Sequence, residues 1–334
     1  MFSPKVAVID SGIDMSNQVI MQQVLDGFSF QMDSKGNPII ISGNYDDVFG
    51  HGTNCADYIL QLADRTLFYP IRIVNEQGKT SSKLLIAALE KCKELQINIV
   101  CLSLSVIQSV DIKYEREIEK ICRELTKKGT LVCASEGNNA KNTIPAVFDS
   151  VIGVGAPGGD MKRKICVNQY DRIQVRTDTF PVFVAGKSGR YNFFKGTSKA
   201  NAYITGMLAK LIQNGKELKT IEDSLEELEK IREMPQTIDK TELGKIPTDE
   251  KGKIILQYIQ KGLLRFGCMY SPEEICKYPF FSKITGINFF NFYDFINELF
   301  KDLKITEYDY HSIKIEDVCT LYKMVEFLKK ESRI

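Results

Sequence analysis

Short, nearly continuous apolar runs recur through residues 1–210. They predict strands at Lys5–Ile9, Thr66–Ile73, Ile97–Leu104, Thr130–Ala134 and Val151–Val154. Strands without polar alternation are buried on both faces, as in parallel sheets. Between them the apolar spacing turns helical at Ser82–Leu95 and Asp111–Lys128. That alternation predicts βαβ units and an α/β fold on a parallel sheet. A further helix is expected from about Thr197 to Gln213, after a turn containing Gly196.

The pattern changes after Asn214. Lys and Glu dominate as far as Lys253, and Ile221–Glu233 reads as a solvated amphipathic helix. Pro235, Gly244, Pro247 and Gly252 punctuate an expected linker. Beyond it Ile254, Ile255, Tyr258 and Ile259, then 289–300 and 318–328, keep helical spacing only. The expected organisation is a first domain at 1–233, a linker at 234–253 and an all-α helical bundle domain at 254–334.

The 334 residues hold 44 Lys+Arg and 43 Asp+Glu, a net charge of +1. That balance gives no reason to expect nucleic acid or an anionic membrane as partner. No run approaches the ~20 apolar residues of a membrane span. The N-terminus lacks the basic start and long apolar region of a secretory signal, so a cytoplasmic protein is expected. The nine cysteines stand singly, without a C-x-x-C pair, which indicates neither a zinc site nor a disulfide framework. Asp14, Asp46 and Asp47 lack the regular spacing of a calcium loop. No metal and no cofactor are expected. Histidine occurs only twice, at His51 and His311, so a histidine base has two candidates.

Three stretches carry chemistry. Val6–Asp14 (VAVIDSGID) puts Asp10 just past a buried strand, where functional groups collect in open α/β sheets. Gly50–Ala56 (GHGTNCA) sets His51 between glycines at the start of a helix. Gly196–Ala202 (GTSKANA) sets Ser198 at a helix start, where free N–H groups favour developing negative charge. Serine is too weak an acid to attack alone. A neutral imidazole must take its proton, and a carboxylate must orient the imidazole.

These stretches, in the order Asp, His, Ser, resemble the subtilisin family of serine peptidases. Ile99–Ser105 (IVCLSLS), Ala134–Asn139 (ASEGNN) and Thr143–Ala156 resemble further family segments, and the likeness covers about residues 4–233. It implies a subtilisin-like three-layer fold. It implies that Ser198 attacks a peptide carbonyl, that His51 is the base and then the acid, and that Asp10 orients His51. Asn138 would donate to the oxyanion. Ser103, Leu104 and Ser105 would pair with the substrate backbone, with Glu136, Gly137 and Thr143 also on the substrate-binding side. Ser105 stands where the family usually has Gly, and Glu136 where a small residue is usual. Lys199 and Ala202 replace Met and Pro. These departures favour a selective peptidase. With Asp10 only ten residues from the start, an enzyme without an inhibitory propeptide that folds unaided is expected.

Residues 254–332 resemble an acyl or peptidyl carrier protein. The likeness rests on a helix Glu250–Phe266, a loop Ser271–Thr285, Gly286-Ile287-Asn288 leading a helix Phe289–Leu303, and a helix near Ile315–Lys330. Asn288 and Phe289 stand in place of Asp and the phosphopantetheine-bearing Ser, so carrier function is not implied. A generic helical bundle fits the same residues. The aromatics near Phe289–Phe292 read as a docking surface, and Phe290, Phe292, Phe295 and Phe300 read equally as core. His311 reads as a surface or cap residue.

The expected function is a selective cytoplasmic endopeptidase acting on a peptide or protein, for example by removing the leader of a ribosomally made peptide. The helical domain would then recognise the leader or a protein partner. The competing readings are a stress or defence protease regulated by that domain, and a non-catalytic peptide-binding module.

Overall fold

The computed structural model describes residues 2–105, 112–138, 143–157, 164–233 and 242–332. Asp111, Asn139 and the 234–241 portion of the expected linker lie outside these residues. Contacts divide the chain into two compact units. The first holds the described residues to Phe180, then Ala185–Gly189 and 195–233. The second holds Pro181–Val184, Arg190–Phe194 and the described residues from 242 on.

The strands of the first unit are β1 (Lys5–Asp10), β2 (Phe28–Met32), β3 (Pro38–Ser42), β4 (Leu67–Arg72) and β5 (Ile99–Leu102). β6 (Leu131–Ser135), β7 (Ile152–Gly155), β8 (Ile165–Val167) and β9 (Val175–Thr177) complete them. They form one sheet in the order β3-β2-β4-β1-β5-β6-β7-β9-β8. The interior is parallel, with antiparallel pairs β2–β3 and β8–β9 at the margins. β4 and β5 flank β1 on opposite sides, so the order reverses at the C-terminal end of β1, where α/β sheets open a crevice.

The helices of this unit are α1 (Gln18–Met21), α2 (His51–Leu62), α3 (Ser82–Cys92), α4 (Ile112–Lys127), α5 (Thr197–Gln213) and α6 (Ile221–Glu229). Ala7 and Ile9 of β1 join the apolar cluster of α3 and α4 through Leu85, Ala88, Ile118 and Ile121. Side chains alternate along a strand. Val6, Val8 and Asp10 therefore point to the other face, where α2 packs on β1. Burying each such aliphatic side chain stabilises the fold by about 1.5–3 kcal/mol. The same alternation aims Asp10 at the helix that begins with His51.

The strands β10 (Val182–Ala185) and β11 (Tyr191–Phe194) form a separate pair. The sequence reading placed them with the first domain, but most of their residues pack in the second unit. That unit also holds α7 (Glu250–Arg265), α8 (Pro272–Ile275), α9 (Phe292–Asp302), α10 (Ile315–Val318) and α11 (Leu321–Glu331). Phe280, Phe292, Phe295 and Phe300 are fully buried in its core. Of the residues expected to suit docking, Phe292 is therefore core, while Phe290 is exposed, at 87%. Phe183 lies edge-on to Phe292 at 5.7 Å, and Phe193 packs at 5.2 Å from the same ring.

Two expected helices differ. α9 begins at Phe292 and not at Phe289, because the Asn288 side chain accepts hydrogen bonds from the Phe290 and Asn291 N–H groups and holds a turn there. The helix expected near Ile315–Lys330 is two helices, since Thr320 caps a new start by accepting from the Lys323 N–H.

Candidate active site

Asp10 is the last residue of β1, one position earlier relative to the strand end than its sequence suggested. It is 2% exposed. Its Oδ1 accepts from the Ser11 N–H at 2.7 Å. Its two oxygens lie 2.9 and 2.8 Å from His51 Nδ1. His51 opens α2, and its closeness to Asp10 depends on Gly52: a Cβ there would meet the Gly12 carbonyl and the Asp10 side chain. Asp47 ties down the same helix start. It accepts from the N–H groups of Phe49, Gly50 and Thr53 at 2.9, 2.6 and 2.9 Å. Asp14 and Asp46 are likewise engaged, with Ser16 and Ser188 and with Met15.

Burial opposes protonation of His51, but the Asp10 charge and hydrogen bond, aided by Asp47, outweigh it and hold the imidazole above its ordinary value. A carboxylate on Nδ1 fixes the proton there and leaves Nε2 as the basic nitrogen.

Ser198 occupies the first turn of α5. Its Oγ donates to the Ser103 carbonyl at 3.4 Å, and Ser103 Oγ donates to the Ser198 carbonyl at 3.4 Å. Asn138 follows β6, and its Oδ1 accepts from both the N–H and the Oγ1 of Thr197 at 3.0 Å. Those donors settle which end of the amide is oxygen. Nδ2 is the end able to donate to a substrate. Gly196 adopts φ +84°, and a Cβ there would come within 2.9 Å of Asn138 Oδ1. The glycine of this motif thus serves the approach of Asn138 as well as the turn.

Asp10, His51, Asn138 and Ser198 line one cleft of about 1020 Å³, together with Ser103, Leu104, Ser105, Glu136 and Gly137. Thr143 is not on its wall: it is buried, and its Oγ1 accepts from the Gly137 N–H at 2.8 Å. Glu136 is buried, with its Oε2 3.5 Å from Arg176 Nη1. His311 belongs to the second unit, half-buried and edge-on to Tyr191.

Cys55 lies with Asp10 and His51 in a group whose ligand atoms are all within 4.8 Å. Burial, then the charges of Asp10 and Cys101, push the Cys55 thiol well above its ordinary value. Burial likewise pushes the Cys101 thiol up to about 11. These cysteines act as small packing groups.

Sequence reasoning missed the partner of Lys199. Its Nζ sits 2.6 Å from Asp178 Oδ1 and 3.2 Å from the Asp178 carbonyl, with side-chain exposures of 0% and 2%. The ammonium lies 5.7 and 5.5 Å from the ring centroids of Tyr58 and Tyr203. No local spacing signals a pair formed across this distance in the chain. The one available clue was a charge beside the expected nucleophile.

A parallel sheet opened at β1, with Asp10, His51 and Ser198 at one cleft, defines the subtilisin-like class of α/β proteins. The model of the subtilase family matches residues 3–233, and the chain belongs to that family. It is similar to the intracellular serine protease of Paenibacillus polymyxa, 25% identical over 224 residues, 63% of this chain and 66% of that protein. It is similar to the thermophilic serine proteinase of Bacillus sp. (strain AK1), 25% identical over 238 residues, 67% of this chain and 55% of that protein. The major intracellular serine protease of Bacillus subtilis (strain 168) is 25% identical over 222 residues, 61% of this chain and 67% of that protein. The chain thus spans between about half and two thirds of the length of these relatives. A solved cold-adapted subtilisin-like serine proteinase shares the fold at TM-score 0.53 and 19% identity, over 67% of this chain and 80% of that one. Among the described residues no helix is long and apolar enough to cross a membrane.

Proposed function

We propose that the protein is a serine endopeptidase. Ser198 is the nucleophile. His51 accepts its proton and returns it to the leaving amine, and Asp10 holds His51 in the required tautomer. Asn138 Nδ2 and the Ser198 N–H stabilise the oxyanion. The observation that carries this reading is the contact of both Asp10 oxygens with His51 Nδ1, in a cleft shared with Ser198 and Asn138.

The substrate is a peptide or protein segment laid along Ser103–Ser105. The buried Glu136 and the Cβ of Ser105 restrict the side chains accepted, which supports a selective enzyme. The names of the intracellular relatives support action in the cytoplasm, and removal of a peptide leader is the selective task we assign. The second unit, carrier-like in its order of helices and lacking a hydroxyl at Asn288 and Phe289, would hold the leader or a partner protein.

The test is to incubate the native chain and Ser198→Ala with a mixture of unmodified peptides and to follow new termini by mass spectrometry. New termini should appear with the native chain alone. Their absence from both would support a non-catalytic peptide-binding module instead.

A further inference from the structure

The charges on the cleft wall are unevenly disposed. Among its described lining residues the carboxylates are Asp10 and Glu136, and the cations besides His51 are Lys79 and Lys83. Asp10 is engaged by His51, and Glu136 faces Arg176 at 3.5 Å. The two lysines have no such neutralising group: among the described residues neither has a carboxylate within 4.0 Å. Lys83 stands in the first turn of α3, half-buried, with its Nζ donating to the Gly36 carbonyl at 3.0 Å. That bond holds its ammonium beside the β2–β3 turn. Lys79 is exposed on the loop before α3, where its N–H donates to Asn75 Oδ1 at 2.9 Å. Other residues lining the cleft are apolar or neutral, among them Met32, Phe49, Val74, Thr80, Ser81 and Tyr114. The chain as a whole is close to neutral at +1, so these cations are a local feature of the cleft and not a reflection of overall charge.

We propose that Lys79 and Lys83 are specificity-determining residues that select substrates with an acidic side chain near the cleaved bond. This rests on the endopeptidase reading and names the substrate class of the same cleft. A carboxylate entering the groove would meet the half-buried Lys83 ammonium, where a charge pair outweighs one on an open surface, and the exposed Lys79 adds charge of the same sign. A lysine or arginine at the same substrate position would meet like charge, which disfavours that substrate.

The experiment uses the full chain and a fluorogenic peptide series. Each peptide carries Glu, Gln or Lys at one position within four residues of the cut bond. The reading is the ratio of kcat/KM for Glu over Gln in one and the same enzyme, so any general loss of activity in a variant cancels. At one or more positions the ratio should be about tenfold, expressed mainly in KM, and should shrink at high salt. It should fall towards unity in the Lys79→Gln/Lys83→Gln variant. Equal rates for Glu and Gln at every position overturn the proposal, as does a preference that survives in the double variant. Hydrolysis that continues in those cases leaves the endopeptidase reading standing. If no peptide in the series is cut and a fluorophosphonate fails to label Ser198, the endopeptidase reading fails and this proposal fails with it.

Discussion

Lys199, the residue after Ser198, forms a fully buried ion pair with Asp178 at 2.6 Å. Two charges withdrawn from water persist only while each has the other. Burial draws the lysine below its ordinary value, against the Asp178 charge that supports its protonated form. The pair joins the end of β9 to the first turn of α5. A second bond there, from the Gly196 N–H to the Thr179 carbonyl at 3.2 Å, ties the same two segments.

Lys199→Met leaves the buried Asp178 carboxylate without its counter-charge, with the Phe180 N–H still donating to its Oδ1 at 3.2 Å. It should cost about 3–5 kcal/mol of stability. Adding Asp178→Asn removes the stranded charge and should recover much of the loss. Thermal melts followed by circular dichroism measure both. A single variant that melts with the native chain would show that the pair contributes little.

Thr197 aims Asn138, and the two residues should rank differently. Asn138→Ala removes the oxyanion donor and should lower kcat by about 10²–10³-fold, the magnitude known for subtilisin in the same family. Thr197→Val removes one of the two bonds that orient the amide and should lower kcat by roughly tenfold. Steady-state kinetics on one peptide decides the order, and a larger loss for Thr197→Val would contradict it.

The pH profile follows from the Asp10–His51 contact. His51 lies above its ordinary 6.5, and the base form is the active one. The value of kcat/KM should therefore rise with pH through a midpoint above 6.5. A folded-state value above the unfolded one stabilises the fold fully below the unfolded value. That contribution fades as pH rises through the folded value. Asp10→Asn should lower the midpoint and reduce kcat by about 10⁴-fold, as the wrong tautomer is favoured. A midpoint at or below the ordinary histidine value in the native chain argues against the assigned pair.

In the second unit Phe292 meets Phe183, Phe193, Phe281 and Phe295. Phe292→Ala should cost about 3–5 kcal/mol by leaving a cavity at that junction of rings. Urea unfolding followed by tyrosine fluorescence reports it, and an unshifted transition would mean that the aromatic cluster is redundant.

Much of the first unit was legible in sequence because parallel strands buried on both faces read as unbroken apolar runs. β1, β5, β6 and β7 are of that kind, and β4 reads as an apolar run although Leu67, Tyr69 and Arg72 are only half-buried. β2 and β3 escaped because they form an antiparallel pair with exposed Ile39 and Ile40, and β8 and β9 because three residues give no period. Asp10, His51 and Ser198 were legible through motif and order. Asp47 as the clamp on α2, Arg176 beside Glu136 and Asp178 beside Lys199 were not, since each pairing is set by tertiary packing alone. The same holds for β10 and β11, whose Phe183 and Phe193 find their burial among aromatic residues about a hundred positions later.

Catalysis as proposed requires Ser198 to be a nucleophile activated by His51. The most direct test is intact-mass measurement after treating the full chain with a fluorophosphonate. One adduct is expected, mapped to Ser198, absent in Ser198→Ala and formed far more slowly in His51→Ala. A native chain that stays unlabelled, or an adduct at any other residue, would contradict it.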